Sequence, residues 1–107
     1  MAVDNRKTID AIGIDRNSGH VILTIFDEKD WTNTYEHLYF IQEKLNSYLS
    51  YIESGEVYTS YPKADGKDFE FSIVFKYDLT RDAIEFLDKF QKIVENAGFS
   101  LAWEVAK

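Results

Sequence analysis

The chain is predicted to adopt an α+β fold, a two-layer sandwich with two helices on one face of a four-stranded mixed sheet. Three observations predict it. The elements run in the order ββαβαβ. Each candidate helix carries a single apolar stripe, and the last two strands each carry one strongly apolar face. One-sided helices over a one-sided sheet satisfy all three.

Thr8 to Asp15, with Ile9, Ile12 and Ile14, reads as the first strand. Asp15-Arg16-Asn17-Ser18-Gly19 is turn chemistry, since Asn and Gly tolerate positive φ and Asp and Ser bond nearby backbone. His20 to Asp27 is a second run of β-branched and apolar residues, so the two form a β-hairpin. An acidic loop with one tryptophan, Trp31, follows. Thr34 is the expected N-cap of a helix reaching Ser54, with Glu36 in the first turn and Gly55 as the stop. At 100° per residue Leu38, Ile41, Leu45, Leu49 and Ile52 share a face, with Tyr48 at its margin.

Glu56 to Asp68 holds Pro62 and Gly66 and reads as a loop. Phe69, Phe71, Ile73, Phe75 and Tyr77 then alternate with polar or smaller residues in a third strand. Thr80 caps a second helix, Arg81 to Ala97, whose stripe is Ala83, Leu87, Phe90, Val94 and Ala97. Gly98 ends it. Phe99, Leu101, Trp103 and Val105 alternate in a closing strand. The last strand–helix–strand unit is expected to be parallel and right-handed.

The chain has 107 residues, the size of one domain spanning 1–107. Aromatic residues make up 16% of it, which argues against disorder. It has no cysteine, so disulfides and thiolate metal sites are excluded. Twelve basic against 19 acidic residues give a net charge of −7, a poor basis for binding nucleic acid or anionic lipid. No apolar run approaches the roughly 18 residues that span a bilayer. The N-terminus shows no secretory h-region, and Ala2 stands where N-myristoylation needs glycine. A cytoplasmic protein is expected.

Walker, G-x-G-x-x-G and G-x-S-x-G patterns are absent, and nothing pairs a nucleophile with a base. No catalytic residue and no cofactor is therefore expected. One enzyme-like alternative is a cluster of Asp27, Asp30, Glu36 and His37. An imidazole among carboxylates can hold a divalent cation or act as acid and base in a hydrolase-like enzyme. Its spacing matches no metal motif, and the bland reading is a solvated loop at the positive end of a helix.

Two surfaces suit a partner. His37, Phe40, Lys44 and Tyr51 lie on one flank of the first helix, away from its core stripe, and exposed aromatics mark partner surfaces. The sheet face without helices groups Ile22, Phe26, Val74 and Ala102 among Glu70, Lys76 and Glu104. Apart from these two surfaces, one reading of Tyr58, Tyr61 and Lys67 in the long loop is a pocket lining, and the favoured reading is tyrosines shielding the core edge.

Asp30-Trp31, His37-Leu38, Gln42 to Leu45 with Asn46, Tyr48 and Ile52 to Glu56 form a pattern. Together with Ile14-Asp15, Gly19 to Ile25, Tyr61-Pro62, Phe75 to Tyr77 and Ala97 to Phe99, it resembles a bacterial domain-of-unknown-function family, family 6572. The resemblance covers nearly the whole chain. It brings no catalytic residue, and it points to Asp30, Trp31, His37, Gln42, Asn46, Glu53 and Glu56 as a shared surface.

The leading expectation is a non-enzymatic protein-binding domain, immunity- or antitoxin-like, that meets a basic partner with acidic and aromatic residues. The expected surface comprises Trp31, His37, Phe40, Lys44, Tyr51, Glu53, Glu56, Tyr58 and Tyr61. The partner is another protein or a second copy of the chain. The alternative is a small-ligand, metal-binding or hydrolase-like module built on Asp27, Asp30, Glu36 and His37.

Overall fold

The computed structural model describes residues 9–106. Strands β1 (Ala11–Ile14), β2 (Val21–Asp27), β3 (Phe69–Phe75) and β4 (Ser100–Val105) form one mixed sheet. Helix α1 (Thr34–Glu53) joins β2 to β3, followed by a short α2 (Glu56–Ser60) and a 3₁₀ turn at Pro62–Ala64. Helix α3 (Arg81–Asn96) joins β3 to β4. Thr8, expected to open the first strand, lies outside the described residues, as does all that precedes it.

The strand order is β1-β2-β3-β4. β1 and β2 are antiparallel, closed by the Asp15–Gly19 turn, where the Asp15 carboxylate accepts from the Ser18 amide and hydroxyl. β2–β3 and β3–β4 are parallel. Two successive parallel crossovers moving the same way across a sheet place both helices on one face when they share the usual hand.

Period-two alternation divides the sheet. Val21, Leu23, Ile25, Phe69, Phe71, Ile73, Phe75 and Leu101 face the helices and are buried. From above, Ile41, Leu45, Tyr48 and Ile52 of α1 and Leu87, Phe90 and Val94 of α3 complete the core. Fully burying such a side chain is worth roughly 1.5–3 kcal/mol before chain entropy is counted. Gln91 of α3 donates to the Leu101 carbonyl at 2.8 Å, tying the helix to the edge strand.

Several expectations shift. The N-cap of α1 is Asn33, whose side chain accepts from the Glu36 amide; the Thr34 hydroxyl instead donates to the Trp31 carbonyl at 3.3 Å. The stretch read as a loop from Glu56 to Asp68 contains α2 and the 3₁₀ turn, which bury Val57 and Ala64. Pro62 sits at the start of the 3₁₀ turn, where no backbone donor is needed. Tyr77 lies beyond β3 and is exposed, and Ala97 is exposed as the cap of α3 rather than part of its stripe. The buried side of α1 is also rotated from the expected one, toward His37, Lys44 and Tyr48 and away from Leu38 and Leu49.

Candidate functional site

The rotation of α1 begins on β2. Asp27 has the same parity as Val21, Leu23 and Ile25, so the alternation that buries those residues also turns Asp27 under the helix. A buried carboxylate needs a cation or several donors. His37, in the first turn of α1, supplies one: its Nε2 lies 2.5 Å from Asp27 Oδ2, and both side chains are buried. The other ring nitrogen, Nδ1, is 3.1 Å from the Asp30 carbonyl. A carbonyl only accepts, so Nδ1 carries a proton and donates to it. Nε2 and the Asp27 carboxylate share a hydrogen bond, so each buried group satisfies the other. Trp31 stacks on the imidazole with ring centroids 3.8 Å apart and packs against Phe75. The Trp31 indole N–H is buried and has no acceptor.

Two turns further along α1, Lys44 meets Asp10 at 2.6 Å, both side chains fully buried. The Asp10 carboxylate also accepts from the Phe26 amide, and the Asp10 amide donates to the Tyr48 hydroxyl. That hydroxyl donates in turn to the Thr24 carbonyl at 3.1 Å. Burial pushes the Tyr48 phenol far above its ordinary range; the Asp10 amide opposes this and the Asp10 charge adds to it. The two ion pairs and Tyr48 lash α1 to β2 and to the segment entering β1.

His37 and Lys44, expected on an accessible flank of the first helix, are thus 1% and 0% exposed and belong to the interior. The physical reason is that each finds a carboxylate beneath it, so neither has to reach water. A sequence signal existed. His37, Ile41, Lys44 and Tyr48 follow the i, i+4, i+7, i+11 spacing of one helical stripe, and Asp27 has inward parity on its strand.

The remaining expected surface residues are dispersed. Phe40 is half-buried, with the Lys29 ammonium 5.5 Å from its ring centre. Tyr51 is half-buried, and with Glu56 and a run of serines it lines a cleft of about 530 Å³ beside Ile9. Tyr58 sits edge-on to Phe69, Tyr61 packs against the core, and Glu53 is exposed. Of the enzyme-like set, Asp27 and His37 pair, Asp30 contributes its carbonyl, and Glu36 is exposed. The Thr32 hydroxyl and amide hold the Asp30 carboxylate below its usual range. Among the described residues, no three of His, Asp and Glu are grouped to hold a metal ion. No helix among them is long and apolar enough to cross a membrane.

The open face of the sheet is the other candidate. Its register places Gly13, Ile22, Glu70 and Ser100 in one row across the strands. Ala11, Thr24, Ser72 and Ala102 form the next row, and Phe26, Val74 and Glu104 the third. Phe26 is 41% exposed, and Ile22 and Val74 are half-buried. Sequence parity had grouped the apolar members of this face correctly; the small-residue row is visible only once the register is known.

No curated protein and no solved structure matches the chain. One family model does, over residues 1–107, and it describes a family of unknown function. The whole-chain match shows that the protein belongs to that family, DUF6572.

Proposed function

We propose that the chain is a non-enzymatic domain that works by binding a basic protein, as an immunity or antitoxin-type inhibitor does. One observation carries the choice over the enzyme reading. His37, the candidate general base, has both ring nitrogens committed to protein oxygens, and the ring is buried under Trp31. A general base needs a ring nitrogen within reach of the proton it takes, and this geometry offers none. What faces solvent is instead acidic and aromatic. Tyr35 is 83% exposed, and carboxylates such as Glu53, Glu56, Glu104 and Asp68 surround the molecule. The net charge of −7 favours fast encounter with a basic partner. The lack of cysteine suits a reducing compartment such as the cytosol.

Native mass spectrometry on tagged protein, expressed in its own host and purified at low salt, tests this reading. A retained basic protein that dissociates at high salt is the expected result. A bare chain or a dimer carrying a bound metal or small molecule would favour the ligand-binding alternative.

A further inference from the structure

We infer that the open face of the sheet is a trough for a basic amphipathic helix of the partner, lying across the strands. This inference rests on the protein-binding reading and adds the surface and the partner's form.

The register supplies the shape. Ala11, Thr24, Ser72 and Ala102 are all small and stand in one row through all four strands. On one side rise Ile22 and Glu70; on the other, Phe26, Val74 and Glu104. The two ridges are four residues apart along each strand, about 13 Å at the usual rise. A helix with its side chains is roughly 10–12 Å across. The four strands span about 14 Å between outer axes, or roughly nine residues of helix.

Charge selects the occupant. Each ridge pairs apolar side chains with a carboxylate, Glu70 on one and Glu104 on the other. Glu28 stands with Phe26 and Val74 at the far end of the face, and Asp68 lies 3.9 Å from His20 at the near end. Lys76 is a cation at the far end, with its ammonium over Tyr77, and at the near end the His20 ring also lies 3.9 Å from Glu70. A helix with leucine-like residues along its buried stripe and lysine or arginine on both flanks would meet a floor of small residues, the apolar Ile22, Phe26 and Val74, and the ridge carboxylates together. A second copy of the chain would instead bring carboxylates against carboxylates. Like charges facing one another across an interface act against the wrong partner.

A synthetic peptide of about 18 leucine and lysine residues, patterned as an amphipathic helix and long enough to form one, is the probe. It is titrated at low salt into the full chain, with backbone amide shifts read by NMR and affinity by fluorescence anisotropy. The largest shifts are expected at Thr24, Ser72, Val74 and Ala102. Ala102→Tyr, which fills the trough, and the Glu70→Lys/Glu104→Lys pair are each expected to weaken binding at least tenfold. Ile84→Ala, on the outer side of α3, is expected to change it less than twofold. A lysine-rich coil of equal charge should bind at least tenfold more weakly than the helix. Far-UV circular dichroism of each variant confirms folding, which the exposure of Ala102 and Glu104 permits.

Shifts confined to α1 and α3 would overturn the surface and leave the protein-binding reading standing. A helix with glutamate in place of lysine that binds equally well would overturn the proposal, as would no binding at all. A dimer of the chain that shields the same amides would overturn it in favour of a second copy.

Discussion

His37 shows how much one side chain can settle. The imidazole closes three contacts at once: Asp27 at Nε2, the Asp30 carbonyl at Nδ1, and the Trp31 ring on its face. It thereby fixes the loop before α1 as well as the helix start. Removing one member of a buried ion pair strands the other charge in the interior, a loss of about 3–5 kcal/mol. His37→Ala is therefore expected to lower unfolding free energy by about that amount, measured by urea titration. An exposed His37 would change stability by no more than about 0.5 kcal/mol, so a loss that small would show that the pair is not formed. Affinity for the leucine–lysine helix at equal folded fraction is expected to be unchanged, because the ring does not reach the surface.

At the scale of the element, local chemistry wrote α1, α3 and the strands but not α2, which lies in a stretch that reads as a loop, and placement around the helix axis needed the tertiary structure. Thr80 and Gly98 bound α3 as its sequence implies, and the alternation of Phe69 to Phe75 is the strand seen. α1 was legible in extent but not in orientation. A stripe of Leu38, Ile41, Leu45 and Leu49 is the better apolar pattern, yet the helix turns toward His37 and Lys44, because Asp27 and Asp10 wait beneath them. Long-range pairing of this sort leaves only a faint local trace: the helical spacing of His37, Ile41, Lys44 and Tyr48 and the inward parity of Asp27. For the same reason the candidate site was only partly readable: parity located the apolar residues of the open sheet face, but not which polar residues of α1 would be hidden. The α1 start separates two adjacent capping residues. Asn33→Ala is expected to cost about 1 kcal/mol, since the Glu36 amide loses its acceptor, and Thr34→Ala only a few tenths. Equal losses in thermal melts would reject Asn33 as the cap. The other end of α1 stops at Gly55, whose φ of +84° suits glycine. A Cβ there would meet nothing within 4 Å, so Gly55→Ala isolates the backbone cost, about 1–2 kcal/mol.

For the molecule as a whole, Tyr48 couples the sheet, the entry to β1 and α1 to pH. Its hydroxyl is the node between the Asp10 amide and the Thr24 carbonyl. Burial raises the phenol's ionisation range in the folded chain above the value of about 10 that it has when unfolded. A group with a raised folded value stabilises the fold fully below its unfolded value. As pH climbs past about 10, the unfolded chain sheds this proton while the folded chain keeps it, and stability falls by up to about 1.4 kcal/mol per pH unit. Other alkaline groups titrate near pH 10 in the unfolded chain, so the alkaline limb of the native protein alone does not isolate Tyr48. Tyr48→Phe does. The variant loses about 1–3 kcal/mol at neutral pH, because two buried backbone groups lose their partner. Above pH 10, however, its stability should fall less steeply than that of the native protein by about one proton's worth. Urea titrations of both proteins at half-unit steps from pH 8 to 12 give the two slopes. Parallel slopes would mean that Tyr48 ionises without unfolding the chain, and that the hydroxyl is reached by water from the β1 edge rather than sealed beneath α1.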